Sequence, residues 1–360
     1  MKKLKEEHTS MKKLAFLALA LAMVLSVTAC APAAPTSTTP AAEAPDAPAA
    51  DAPSGEKPIP TIAFVPKVIG QAWWDYTRDS GVLAWAEETG YEVRYVGPTE
   101  VDAAAQVQIM SDIVAQGVDI LCFSPNDPAA VENICKEARD QGIIVISTEA
   151  SGMTNIDYNV EAFDEAGFGG FMMDILAEQM GEEGEWVQTV GSMTMESQVN
   201  WADAALARQQ EKFPDMVLVP DARVADGSDA ERAYELAKEM LQKYPNLKGF
   251  QTNGSFGAPG VCRAIKELDA TGVYVVGTSI PSEVSEYLHD GVMIAGALWD
   301  PAIAAKAMLN LGLKMYYGEE IVDGMDLGIE GYNNIKIVGR VIEGAGMIAI
   351  TKENVDSFTF

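Results

Sequence analysis

From residue 59 onward the chain alternates two kinds of segment. Short runs of β-branched and apolar residues fall at 61–65, 91–96, 119–124, 143–147, 185–190, 217–220, 249–252, 273–277 and 293–298. Between them stand stretches whose apolar residues recur at helical spacing. In VQIMSDIVAQG, Val107, Met110, Ile113 and Val114 fall three or four apart, and Gly117 closes the run. Ala233, Leu236, Ala237, Met240 and Leu241 repeat the pattern in ERAYELAKEML. Short buried runs alternating with amphipathic helices predict right-handed β-α-β crossovers, giving largely parallel sheets covered by helices on both faces. Nine strands crowd a single wound sheet in this length, and a short extended piece at 155–159 resets the rhythm before a helical 164–180. The expected fold is therefore α/β, with two Rossmann-like lobes of parallel sheets flanked by helices and joined by a hinge. The first lobe is expected to hold 59–160 and about 300–318, and the second 161–299 and about 319–360.

The first 58 residues follow neither pattern. Lys12 and Lys13 precede an apolar run, LAFLALALAMVLSV at 14–27, and then Thr28, Ala29 and Cys30. A basic start, an apolar stretch too short to span a bilayer stably and small residues before a cut describe a secretory signal peptide over 1–29. VTAC resembles the bacterial lipobox, in which the cysteine becomes the lipid-modified first residue; an ordinary signal peptide or a buried apolar helix is the plainer alternative. Either Met1 or Met11 can serve as the start. Residues 31–58 are almost wholly Ala, Pro, Ser, Thr and acids. They offer nothing bulky to bury, so they read as a disordered, semi-extended tether over 30–58. Lipid on Cys30, with each buried methylene contributing about 0.8 kcal/mol, would hold the protein on the outer face of a bacterial cell membrane, or in the periplasm.

Charge and cysteine content narrow the function. The net charge is −28, and five lysines against two acids in residues 1–29 leave −31 for the remainder. So acidic a body repels nucleic acid and anionic lipid. With Cys30 given to lipid, Cys122, Cys135 and Cys262 cannot complete a disulfide framework, and none has metal-ligand spacing. Cys122 and Cys135 read as small buried residues.

In open parallel sheets, ligands bind beyond the carboxyl ends of the strands. Residues just after each predicted strand are therefore the candidate site. The first strand is followed by Pro66, Lys67, Gln71, Trp73, Trp74 and Asp75; the third by Asn126 and Asp127; the fourth by Thr148 and Glu149. In the second half come Ser197, Gln198 and Asn200 within 192–201, then Asn253, Gly254 and Ser255, and finally Trp299 and Asp300. Amides, carboxylates and hydroxyls interleaved with flat rings suit a neutral, polyhydroxylated ligand. Plainer readings stand beside these. Trp73 and Trp74 could be core packing, Lys67 a surface lysine, and Asp127 and Asp300, each before a proline, helix N-caps.

Catalytic chemistry finds little support. Of two histidines, His8 lies in the leader and His289 near a helix end. A Ser-His-Asp triad or a His-rich metal site has almost nothing to work with. Neither G-x-G-x-x-G after the first strand nor G-x-x-x-x-G-K-[ST] occurs, so no nucleotide cofactor or metal is expected.

The segments TIAFVPKVIGQAWW, YVGPTE, VQIMSDIVAQGVDIL and ALWDP carry a resemblance over about 59–360. In this order they resemble the periplasmic-binding-protein type 1 family, in particular the branch with Lsr-type autoinducer-2 receptors and rhamnose-binding proteins. The resemblance implies two lobes closing on a furanose or pyranose, no catalysis, a monomer, and delivery to the permease of an ABC importer. Lys67 and Gln198 match the family's lysine and glutamine. Glu149 stands where the autoinducer receptors have aspartate, Ser197 replaces an aspartate, and Thr252 and Gly254 replace a proline and an alanine. Loss of one charged hydrogen bond, about 1.5–3 kcal/mol, should alter selectivity, leaving rhamnose, another pentose or hexose, or autoinducer-2 open. A chemosensory receptor of the same fold, or a surface hydrolase using Glu149 or Asp300, are the competing readings.

Overall fold

The computed structural model describes residues 57–220, 223–358 and 360; the expected signal peptide, Cys30 and nearly all of the expected tether lie outside these residues. Five parallel strands open the first sheet: β1 (Ile62–Val65), β2 (Val93–Tyr95), β3 (Ile120–Phe123), β4 (Ile144–Ser147) and β5 (Tyr158–Glu161). In β1, β3 and β4 the side chains alternate between two buried faces. Ile62, Phe64, Ile120, Cys122 and Ile146 pack on one side, Ala63, Val65, Leu121, Phe123 and Val145 on the other. Burial on both faces is why these strands read as continuous apolar runs, each large side chain contributing about 1.5–3 kcal/mol.

Around this sheet lie α1 (Ala72–Tyr76) and α2 (Ala84–Thr89), joined by a π-helical stretch at Thr77–Leu83, together with α3 (Ala103–Gln116) and α4 (Pro128–Asp140). Asp102 and Asp127 begin α3 and α4 by accepting bonds from the N–H groups two and three residues on. They satisfy donors the helix cannot, and Pro128 opens α4 where no N–H is required.

The chain then crosses to a second parallel sheet. It contains β6 (Gly184–Val190), β7 (Met216–Leu218), β8 (Val224–Ala225), β9 (Leu247–Thr252), β10 (Tyr274–Gly277) and β11 (Met293–Leu298). Helices α5 (Glu165–Met180), α6 (Glu196–Lys212), α7 (Ala230–Lys243), α8 (Gly257–Glu267) and α9 (Pro281–His289) connect and cover it. A second crossing leads to α10 (Pro301–Tyr316), which lies on the first sheet, where Gly312 abuts Ile120 and Ile146.

The end of the chain divides between the sheets, which corrects the expectation that 319–360 belongs to the second lobe. β12 (Lys336–Val338) and β13 (Val341–Glu343) join the first sheet, β13 running parallel to β5 with Ile342 opposite Val160. Without them β5 would be an open edge beside the fully buried Val160. Only β14 (Ile348–Ile350) reaches the second sheet, antiparallel to β11. Three-residue strands are too short to display a period of two, so sequence pattern could not apportion them. For the same reason β8 went unpredicted, and the extended piece expected at 155–159 is β5, further along at Tyr158–Glu161. The lobes are thus linked three times, after β5, after β11 and after β13.

Close helix packing places part of the site. A Cβ on Gly169 of α5 would lie 2.2 Å from the Trp201 carbonyl oxygen and 2.8 Å from Ala204 Cβ, both on α6. We expect Gly169→Ala to push α6, and with it Gln198 and Trp201, away from α5 and to lower the unfolding free energy by about 1–3 kcal/mol in urea titration. An unchanged midpoint would show slack between the helices.

Candidate ligand-binding cleft

The carboxyl ends of both sheets face one narrow cleft, part of it open to solvent. At its centre, Lys67 Nζ lies 2.6 Å from Glu149 Oε2, the residues being 4% and 7% exposed. Lys67 is delivered by β1 and Pro66. The Lys67 carbonyl accepts the Asn126 side-chain amide at 2.7 Å, and the Asn126 N–H donates to Gln106 Oε1 at 2.8 Å.

Glu149 sits in the left-handed backbone region, φ 57°, an arrangement that costs an L residue roughly 1–2 kcal/mol. Neighbouring β5 side chains hold it there. Asn159 Oδ1 accepts the Ala150 N–H at 3.1 Å and the Ser147 hydroxyl at 2.9 Å. Asn159 Nδ2 donates to Glu161 Oε1 at 2.6 Å, and the Glu161 carboxyl accepts the backbone N–H of Glu149 itself. Burial, and then the charge of Glu165, push the Glu161 carboxyl well above the usual carboxylate range.

The second lobe closes against this turn. Ser197 donates to Glu149 Oε2 at 3.4 Å, and Glu196 accepts the Gly152 N–H and the Ser151 hydroxyl. The single Ser151 proton is shared between Glu196 and the nearer Glu165 Oε2 at 2.8 Å, an oxygen that also accepts the Asn200 amide at 3.0 Å. Trp73 meets Trp299 edge to face at 4.8 Å between ring centroids, and Trp299 meets Trp201 at 5.5 Å. These contacts join the first lobe, the second crossing and the second lobe through aromatic edges.

Of the residues expected from sequence, Lys67, Gln71, Trp73, Trp74, Glu149, Gln198, Asn253, Ser255 and Trp299 line the cleft. Trp73 and Trp74 are both core and wall, only 5% and 6% exposed. Asn126 and Ser197 stand one layer back, bonded to Lys67 and Glu149. Gly254 lies beside Gln198, whose Oε1 accepts the Gly191 N–H at 2.6 Å. Asp300 belongs elsewhere: it caps α10 through the Ala302 and Ile303 N–H groups, accepts the Tyr76 hydroxyl at 3.3 Å, and faces a separate cavity with Ile303 and Tyr332. The Asp-Pro pair that begins a helix is the feature that accounts for it.

Beyond these, the wall contains Met195, Trp201, Ser228, Phe256 and Thr278. Thr278 directly follows β10, so the strand-end rule could have found it. Ser228 follows the two-residue β8, which left no signal. Gln71 Oε1, Trp201 Nε1 and Thr278 Oγ1 are buried polar atoms without a hydrogen-bond partner among the described residues. A donor, an acceptor and a hydroxyl left open in one wall are what a ligand with its own hydroxyls would satisfy. Among the described residues no cluster of His, Cys, Asp and Glu could hold a metal ion.

Two parallel-sheet lobes, triply linked and sharing a polar cleft at their strand ends, define a two-lobed binding protein. A family model described as a periplasmic binding protein domain matches residues 62–320, and the chain belongs to that family. The D-allose-binding periplasmic protein of Escherichia coli is 26% identical over 262 residues, covering 69% of this chain and 82% of that protein. LsrB from Clostridium saccharobutylicum, solved in complex with AI-2, superposes with a TM-score of 0.77 at 20% identity, covering 83% of this chain and all of that one. An ABC transporter solute-binding protein from Clostridium phytofermentas with bound L-rhamnose gives 0.76 at 18% identity, covering 84% and 98%. The last two comparisons establish the fold.

The ion pair can be tested apart from any ligand. Lys67→Met leaves the Glu149 carboxylate buried and unpaired, and we expect it to lower the unfolding free energy by about 3–5 kcal/mol. Adding Glu149→Gln should restore most of that loss in urea titration. Equal stability of Lys67→Met and the wild type would mean the pair is not desolvated.

Proposed function

We propose that this protein captures one neutral, polyhydroxylated solute of pentose or hexose size between its lobes and hands it to the permease of an ABC importer. One observation carries the reading: the charges in the cleft wall are a lysine and a glutamate already paired at 2.6 Å, beside open polar atoms on Gln71, Trp201 and Thr278. A charged solute would introduce a charge with no counterpart in the wall, which is costly in a desolvated site. A sugar offers hydroxyls to the open atoms and C–H faces to the indoles. The sugar names carried by relatives, D-allose and L-rhamnose among them, support the same class. Ser197 leaves the second lobe without the carboxylate of the autoinducer-2 receptors that the sequence resembles, which favours a sugar over autoinducer-2.

In this reading the protein binds without chemistry. A hydrolase using Glu149 or Asp300 is disfavoured, since Glu149 is held by Lys67 and Asp300 caps a helix outside the cleft. The protein acts as a monomer, held outside the cell membrane by lipid on Cys30 and spaced from it by 31–58.

Thermal denaturation with D-ribose, D-allose, L-rhamnose and autoinducer-2 tests the proposal. A ligand at a hundred times its Kd adds about 2.7 kcal/mol, so at least one of the sugars should raise Tm by several degrees. No shift with any of them would overturn the sugar reading.

A further inference from the structure

The second lobe contains a carboxylate that the cleft wall does not use. Asp226 follows β8 and is fully buried, 0% exposed. Its Oδ1 accepts the Ser228 N–H at 2.9 Å, and its Oδ2 accepts the Thr189 hydroxyl at 3.4 Å. The same Oδ2 lies 3.0 Å from where a Cβ on Gly257 would stand, so the carboxyl rests against the first residue of α8. Ser228 lines the cleft, as do Ser255 and Phe256 just before α8. Asn253, also on the wall, bonds the carbonyl of Thr189 through both its backbone N–H and its side-chain amide. One buried carboxyl therefore touches or adjoins the supports of four wall residues in this lobe.

We infer that Asp226 is a positioning residue for the ligand site, holding Ser228 and the turn before α8 in the wall, and that its proton couples ligand affinity to pH. The inference rests on the capture reading above. The charged groups facing Asp226 are Arg232, which favours ionisation, and Asp229, which opposes it, both at the start of α7. From β6 and α8 it is faced by the uncharged Thr189 and Gly257. Burial dominates and pushes the carboxyl up to about 7, against the pull of the Ser228 N–H, the Thr189 hydroxyl and Arg232. A carboxyl raised by folding favours the neutral form. Its stabilisation is complete below the ordinary aspartate range and is lost as pH rises through about 7. A ligand seated over Ser228 removes more water from this region and favours the proton further, so binding should take up a proton and tighten on the acid side.

The test measures Kd for D-ribose, D-allose and L-rhamnose by tryptophan fluorescence, in wild type and in Asp226→Asn, which imitates the neutral acid and cannot titrate. Wild-type affinity should fall about threefold or more between about pH 6 and about pH 8.5, while that of Asp226→Asn stays flat. The same slope in both proteins would overturn the inference and leave sugar capture standing. Failure of the wild type to bind any of the three sugars at any pH would overturn the capture reading, and the inference with it. Should Asp226→Asn not fold, Thr189→Val takes its place. Losing that hydroxyl should move the midpoint of the affinity profile to higher pH, and an unmoved midpoint would overturn the inference.

Discussion

A lysine and a glutamate 2.6 Å apart, both almost wholly out of water, are the constraint around which this molecule is arranged. Removing two charges from solvent costs several kcal/mol each unless geometry and further hydrogen bonds return it. That requirement explains the local architecture. Glu149 reaches Lys67 from a left-handed turn, and the turn is pinned by Asn159 and Glu161 on the neighbouring strand. Ser197 then adds a contact from the other lobe. The pair also neutralises the charges that line the cleft, whose other lining residues are uncharged.

The strand that pins Glu149 is also the strand that leaves the first lobe. Glu161 ends β5, and its carbonyl accepts the Gly344 N–H, while that of Ala162 accepts the Gly346 N–H. Two of the three crossings are thus bonded to each other. The remaining one carries Trp299, whose ring touches Trp73, Phe163 and Trp201. The turn that holds Glu149, the crossings and the aromatic cluster thus form one connected body. Burial raises the Glu165 carboxyl as it does that of Glu161, although Glu165 bonds Ser151 and Asn200.

Much of this was legible in the chain. Parallel strands buried on both faces write themselves as apolar runs, and the strand-end rule brought Lys67, Glu149, Gln198, Asn253 and Trp299 together from positions more than two hundred residues apart. What it could not resolve were depth and partnership. Asn126 and Ser197 occupy strand-end positions yet support the wall from behind, and Asp300 obeys the stronger local demand of a helix start. Ser228 and Asp226 depend on a two-residue strand with no periodic signal. The final strands divided between sheets because edge pairing, a tertiary matter, decided their place.

In the proposed function both lobes grip one ligand around the Lys67–Glu149 pair. Hydrogen–deuterium exchange with a saturating sugar tests it most directly. Exchange should slow together in 147–153 of the first lobe and 191–201 of the second, where the two lobes are in contact. Protection confined to a single lobe would contradict it.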